Sequence, residues 1–177
     1  MVEPGTRGLV VVLTGDGKGK TTSALGMVFR AWGHGLHPCV VQFIKSEEGR
    51  WGETKAAQRL GIEWHTLGDG FVFDPENDGQ ARKLARQGWE VAKVRAASGE
   101  CDLLVLDEFT YPISFGWIDS AEVLAWLTTE RPKALHVIIT GREASDELVC
   151  VADLVSEVQK IKHPYDAGMR GQKGIEF

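Results

Sequence analysis

The chain has few cysteines and no long apolar run, and these two absences exclude several classes of protein. Its 177 residues include only three cysteines, at positions 39, 101 and 150, and no CxxC pair. This usage predicts buried, reduced thiols, and neither a disulfide framework nor a zinc site is expected. No apolar stretch reaches the roughly 20 residues that span a bilayer, and the first residues, MVEPGTRG, lack the apolar segment of a signal peptide. We therefore expect a cytoplasmic protein with no membrane partner.

The chain also lacks an excess of basic residues. Its net charge is −5, so no overall field attracts nucleic acid, and no nucleic-acid partner is expected. Its length suits one domain with a full core, and we predict a single domain over residues 1–177.

Short apolar runs alternate with segments of helical periodicity. Near-continuous apolar strands are typical of sheets that are covered on both faces, and strands that alternate with helices predict an α/β fold with a mostly parallel sheet flanked by helices. The predicted strands are 9–14, 39–44, 62–67, 102–107, 135–140 and 153–158. The predicted helices lie within 21–35, 75–99 and 119–130, and the stretches 45–53 and 67–77 are predicted to be irregular.

Glycines, lysines and hydroxyls are concentrated between the first strand and the first helix. Glycines let the backbone N–H groups wrap round a phosphate chain, a lysine neutralises its charge, and a hydroxyl binds Mg²⁺. The stretch matches the Walker A pattern except that Thr14 stands where the first glycine is expected. The predicted nucleotide-binding residues are Gly15, Asp16, Gly17, Lys18, Gly19, Lys20, Thr21 and Thr22.

Two acidic residues end the fourth predicted strand, in the sequence LLVLDE. Asp107 and Glu108 resemble a Walker B pair, in which one carboxylate holds Mg²⁺ directly or through water. The residues alone thus predict a site for a magnesium nucleoside triphosphate. Hydrolysis, phosphoryl transfer and signalling all use such sites, so a nucleoside kinase and a nucleotide-dependent switch are the alternatives.

Further segments resemble the corrinoid adenosyltransferases. They are TGDGKGKTTSALG, VVQFIK (40–45), GE (52–53), LGDGFVF (67–73), LLVLDEFTY (103–111), VIITGR (137–142) and the tail KHPYDAGMRGQKGIEF (162–177). The resemblance implies a RecA-like P-loop fold, usually as a homodimer. It also implies transfer of the 5′-deoxyadenosyl group of ATP to Co(I) of a corrinoid, with release of triphosphate.

The resemblance also implies roles for individual residues. Lys20 and the amides of Gly17, Gly19 and Thr21 stabilise the departing triphosphate, and Lys18 is a second charge partner. Mg²⁺ is held by Thr21 together with Glu108 or Asp107. Gln42 and Lys45 belong to the nucleotide pocket or, as the alternative, to a solvated strand end. Arg142 meets phosphate or corrin, or forms an exposed salt bridge.

An aromatic pair is implied to act on the corrin. Phe71 corresponds to a family phenylalanine, and Phe73 stands where the family usually has tryptophan. Such side chains under the ring exclude the lower axial ligand and ease the reduction of Co(II). Without the resemblance, the two residues are more typical of one face of a short strand. An electron-donating reductase or flavoprotein is the implied partner.

Overall fold

The computed structural model describes residues 7–46, 51–70 and 78–176, and these form a six-stranded sheet with helices on both faces. All six predicted strands are confirmed. They are β1 (Val10–Thr14), β2 (Pro38–Ser46), β3 (Glu63–Gly68), β4 (Leu103–Asp107), β5 (His136–Thr140) and β6 (Leu154–Glu157).

The strands follow the order β3-β2-β4-β5-β1-β6, and every neighbouring pair is parallel. The carboxyl ends of all six strands therefore meet at one edge of the sheet. The loops that follow β1, β4 and β5 converge there beside the last residues of β2, as is usual for binding sites in open parallel sheets.

Two apolar cores cover the two faces of the sheet. Along β1, Val10 and Val12 belong to one core while Val11 and Leu13 belong to the other, as the alternation of a strand requires. The helices are α1 (Lys20–Gly33), α2 (Gly52–Leu60), α3 (Gly79–Ala97), α4 (Thr110–Ser114), α5 (Ser120–Ala125) and α6 (Asp146–Val151). A π-helical turn follows α5 over Trp126–Glu130, and a 3₁₀ turn covers Pro164–Ala167.

The structure corrects the sequence prediction at four helices. Helices α2, α4 and α6 were not predicted. Helix α2 buries only Ala57, and among the described residues no side chain caps its start. The predicted third helix changes into a π-helical turn after Ala125. There the hydroxyl of Thr129 donates to the Ala125 carbonyl (2.7 Å), a bond that competes with the regular helical ladder.

The cysteine prediction holds for Cys39 and Cys101 but is wrong for Cys150, which is exposed near the end of α6. The buried pair lies where parallel strands begin, whereas Cys150 lies on a short surface helix. Within the described residues, no helix is both long and apolar enough to cross a membrane.

Candidate active site

The loop between β1 and α1 is shaped by three glycines, for two different reasons. Gly15 and Gly19 have positive φ angles of 97° and 125°, which favour glycine. Gly17 packs against the chain that follows β6, and a Cβ there would lie 2.6 Å from the carbonyl oxygen of Val158. The Gly17 N–H donates to the same oxygen (2.6 Å). The segment that follows β6 thus contacts this loop and fixes its shape.

Lys20 is the first residue of α1, and its side chain turns back into the loop. Its Nζ donates to the carbonyl oxygens of Gly15 (2.6 Å) and Gly17 (2.8 Å). Burial lowers the pKa of Lys20, and the nearby Glu108 carboxylate partly opposes this shift. No side chain caps the start of α1, so the N–H groups of its first turn are available to an anion.

Asp107 and Glu108 leave β4 together but occupy different environments. Asp107 is 1% exposed and accepts hydrogen bonds at both oxygens, from Gln42 Nε2 (2.9 Å) and Thr140 Oγ1 (2.8 Å). Its two partners belong to the strands on either side of β4. Asp107 therefore ties three strand ends together.

Glu108 instead faces a cavity. Its φ of 60° is unusual for a residue other than glycine, and its N–H donates to Thr140 Oγ1 (2.9 Å). Its buried Oε2 has no hydrogen-bond partner among the residues that the structure describes. Burial raises the pKa of Glu108, Asp107 adds to the shift, and Lys20 opposes it.

The cavity beside the β1–α1 loop has a volume of about 440 Å³ and collects most of the predicted site residues. Gly15, Gln42 and Asp107 do not line it: the Gly15 carbonyl accepts from Lys20 Nζ, and Gln42 donates to Asp107. The predicted residues that line it are Asp16, Gly17, Lys18, Gly19, Lys20, Thr21, Thr22, Lys45, Glu108 and Arg142.

Four cationic side chains reach this cavity from three separate segments of the chain, and three of them meet acidic groups. Lys45 Nζ lies 3.0 Å from Glu53 Oε1 and 5.1 Å from the centre of the Trp51 ring. Arg142 Nη1 lies 3.9 Å from Asp16 Oδ1. The third pair joins the loop to the end of the chain, because Lys18 Nζ lies 3.5 Å from Glu176 Oε2.

The structure adds lining residues that the sequence did not assign to the site, and it places there His163, for which the tail motif had left a site role open. Glu53 begins the unpredicted helix α2, and Tyr111 follows β4 in the short helix α4. The tail segment contributes Gly174, Ile175 and Glu176, together with His163. The motifs GE (52–53), LLVLDEFTY (103–111) and KHPYDAGMRGQKGIEF (162–177) contain all of these residues, but a motif does not show which of its side chains face a cavity.

Comparison with known proteins identifies the family. The family described as ATP:corrinoid adenosyltransferase BtuR/CobO/CobP matches residues 6–177. The chain belongs to the ATP:corrinoid adenosyltransferase family. The corrinoid adenosyltransferase of Escherichia coli K12 is 40% identical over 173 residues, which cover 97% of this chain and 86% of that protein. The Sinorhizobium corrinoid adenosyltransferase is 38% identical over 97% of this chain and 81% of its own.

Family membership confirms the function expected from the sequence, which is adenosyl transfer from ATP to a corrinoid by a transferase. Among solved structures, the genome-packaging NTPase B204 of Sulfolobus turreted icosahedral virus 2 has a TM-score of 0.51 at 18% identity, over 85% of this chain and 74% of its own. That likeness concerns the fold alone, and it confirms the RecA-like P-loop architecture. Phe71 and Phe73 lie outside the described residues.

Proposed function

We propose that this corrinoid adenosyltransferase binds the whole triphosphate of ATP in the 440 Å³ cavity and expels it as one leaving group. The observation that carries the proposal is the convergence of Lys18, Lys20, Lys45 and Arg142 on that one space. A kinase transfers one phosphate and leaves the other two on ADP. Here the growing charge of a departing triphosphate is spread over three groups, and cations from three separate segments suit it.

Lys20 and the free N–H groups at the start of α1 stabilise the phosphate nearest the loop. Two carbonyl oxygens already hold the Lys20 ammonium group in the loop. Its side chain therefore needs little reorganisation when an anion binds. The nucleophile is the electron pair of Co(I), so the protein needs no general base. The corrin supplies the reactive cobalt centre, and this chain orients the ribose carbon toward it.

Glu108, rather than Asp107, is proposed to hold Mg²⁺ together with Thr21. The buried, unpartnered Oε2 of Glu108 faces the cavity that Thr21 also lines, and hydroxyl and carboxylate oxygens are the ligands that Mg²⁺ prefers. Both oxygens of Asp107 are occupied by Gln42 and Thr140, so Asp107 acts as a positioning residue. When bound, Mg²⁺ supplies charge neutralisation for the leaving group.

The remaining features are carried over from the family resemblance. Phe71 and Phe73 are proposed to exclude the lower axial ligand of the corrin. A reductase or flavoprotein is proposed as electron donor, and a homodimer in the cytoplasm as the working form. Light scattering on the purified chain tests the dimer.

The products of the reaction test the proposal. ATP and chemically reduced corrinoid are incubated with the protein, and phosphorus NMR follows the phosphates. We expect intact triphosphate in step with the adenosylcorrinoid absorbance. ADP as the by-product contradicts the proposal and favours the kinase alternative.

A further inference from the structure

A second cluster of chemically reactive side chains lies at the opposite end of the sheet. Cys39 is the second residue of β2, and its Cα partner on β3 is Glu63. His65 lies two residues along β3 and so points to the same face as Glu63. Cys101 precedes β4 by two residues. From Cys39 to Lys45 the strand rises about 20 Å, which separates this cluster from the phosphate cavity.

The ligand atoms of this cluster are close enough to share one ion. Cys39 Sγ, a Glu63 carboxylate oxygen and a His65 ring nitrogen all lie within 4.8 Å of one another. Cys101, the other buried thiol at this end of the sheet, is not in this group of three. Sulfur, imidazole and carboxylate are ligands that zinc binds, and water can fill the fourth position of its tetrahedron. We propose that Cys39, Glu63 and His65 form a zinc site.

The local charges suit a dication. One thiolate from Cys39 and one carboxylate from Glu63 together match the charge of Zn²⁺. Arg95, whose Nη2 lies 2.7 Å from Glu63 Oε2, holds that carboxylate in place.

The cluster can be reached from solvent. Cys39, Glu63 and Arg95 line a surface cavity of about 760 Å³, together with His37 and Asp102. The side chains of Glu63 and His65 are each 34% exposed. An ion can therefore enter without unfolding of the strands, whose pairing holds the three ligands in register.

The competing interpretation is a network of hydrogen bonds without metal. His65 Nε2 lies 2.7 Å from Glu63 Oε1, and Arg95 binds the other oxygen, so these groups can satisfy one another. The two interpretations differ in one respect. Only a zinc site makes the affinity for a metal ion depend on both the Cys39 thiol and the His65 ring.

The test is a zinc titration of the full chain after treatment with a chelator. We expect one Zn²⁺ per chain in competition with a chromophoric chelator, release of thiol protons to the buffer, and a thiolate-to-cobalt absorption when Co²⁺ replaces Zn²⁺. Loss of an outer partner of a metal ligand typically lowers affinity about 10- to 100-fold, so loss of a ligand itself should lower it by at least about 100-fold.

Three variants separate the outcomes. Cys39→Ser and His65→Gln should both lose zinc affinity, and Cys150→Ser, at an exposed thiol, should keep it. His65 is partly exposed, so its variant keeps the test valid if Cys39→Ser fails to fold. Binding that is absent in the native chain, or unchanged in His65→Gln, overturns the proposal. None of these readouts depends on adenosyl transfer.

Discussion

The two ends of the same parallel sheet hold polar clusters that are built differently. At the carboxyl ends, the phosphate cavity is formed by loops, and its cations come from segments far apart in the chain. At the amino ends, Cys39, Glu63 and His65 are held by paired strands with little loop contribution. The first arrangement suits a ligand that enters, reacts and leaves. The second suits an ion that stays bound and links strands.

The largest change in the rate of adenosyl transfer is expected from substitutions at the phosphate cavity. Lys20→Ala should lower the rate of adenosyl transfer by about 100- to 1,000-fold, because one preorganised donor to the leaving group is lost. The variant should stay folded, with a stability loss of about 1–3 kcal/mol from the two carbonyl oxygens left unpaired. Transfer assays and thermal melts check both effects.

Lys18→Ala is the matched control for that change. The side chain of Lys18 is 41% exposed and pairs only loosely with Glu176, at 3.5 Å. We expect a clearly smaller loss of rate than for Lys20→Ala. Normal turnover of the Lys20 variant would remove its role at the leaving group.

A second prediction separates the two carboxylates of β4. Glu108→Gln should lower transfer by about 100-fold, equivalent to about 3 kcal/mol, and should raise the Mg²⁺ concentration needed for half-maximal rate. Asp107→Asn should have a smaller effect, since the buried Gln42 Oε1 lacks a hydrogen-bond partner within the described residues. A turn of the Gln42 amide lets that oxygen accept from the side-chain amide introduced by the substitution.

The pH dependence of the Mg²⁺ requirement tests the same assignment of Mg²⁺ to Glu108. Because the pKa of Glu108 is raised, its carboxylate takes up a proton above the usual range of a glutamate, and Mg²⁺ affinity should fall as pH falls through that raised value. The Mg²⁺ dependence of the rate, measured over a pH series, shows this shift. An equal Mg²⁺ requirement in Glu108→Gln and in the native chain would contradict the assignment.

The sequence predicted the carboxyl end of the sheet far better than the amino end. Residues 15–22 are contiguous, so their common role is visible without a structure. Glu53 was missed because helix α2 has almost no apolar pattern, and the role of Glu176 depends on how the tail returns to Lys18. The three proposed zinc ligands lie at positions 39, 63 and 65, and only the strand register joins Cys39 to the other two. Sequence spacing therefore indicated no zinc site.

Zinc should act on stability and leave adenosyl transfer unchanged. At about a hundredfold excess over its dissociation constant, a ligand adds about 2.7 kcal/mol, which corresponds to a rise of about 5–10 °C in Tm for a chain of this size. The rise should be absent in His65→Gln. Calorimetry with and without chelator, beside a transfer assay, measures both. A transfer rate that changes with zinc would show that the two ends are coupled.

The smallest effect is expected at a charge cluster that has no thiols. On helices α3 and α5, Glu122 accepts hydrogen bonds from Arg86 (2.9 Å), Trp89 (2.6 Å) and Lys93 (3.1 Å). Burial alone would raise the pKa of Glu122, but these donors lower it to about 2. The cluster resembles the contacts of Glu63 with His65 and Arg95, and it offers no soft ligand.

Glu122→Gln should therefore lower stability without changing zinc affinity. A glutamate with a depressed pKa stabilises the fold above its ordinary pKa of 4.5, and this contribution is lost as pH falls from there toward about 2. At neutral pH we expect a loss of about 1 kcal/mol, because the side chain is partly exposed and screened. The two proteins should converge near pH 2. Glu90→Gln, which removes only an exposed partner of Lys93, should change Tm less. A difference in stability between the native chain and Glu122→Gln that persists near pH 2 would show that Glu122 acts through packing rather than through its charge.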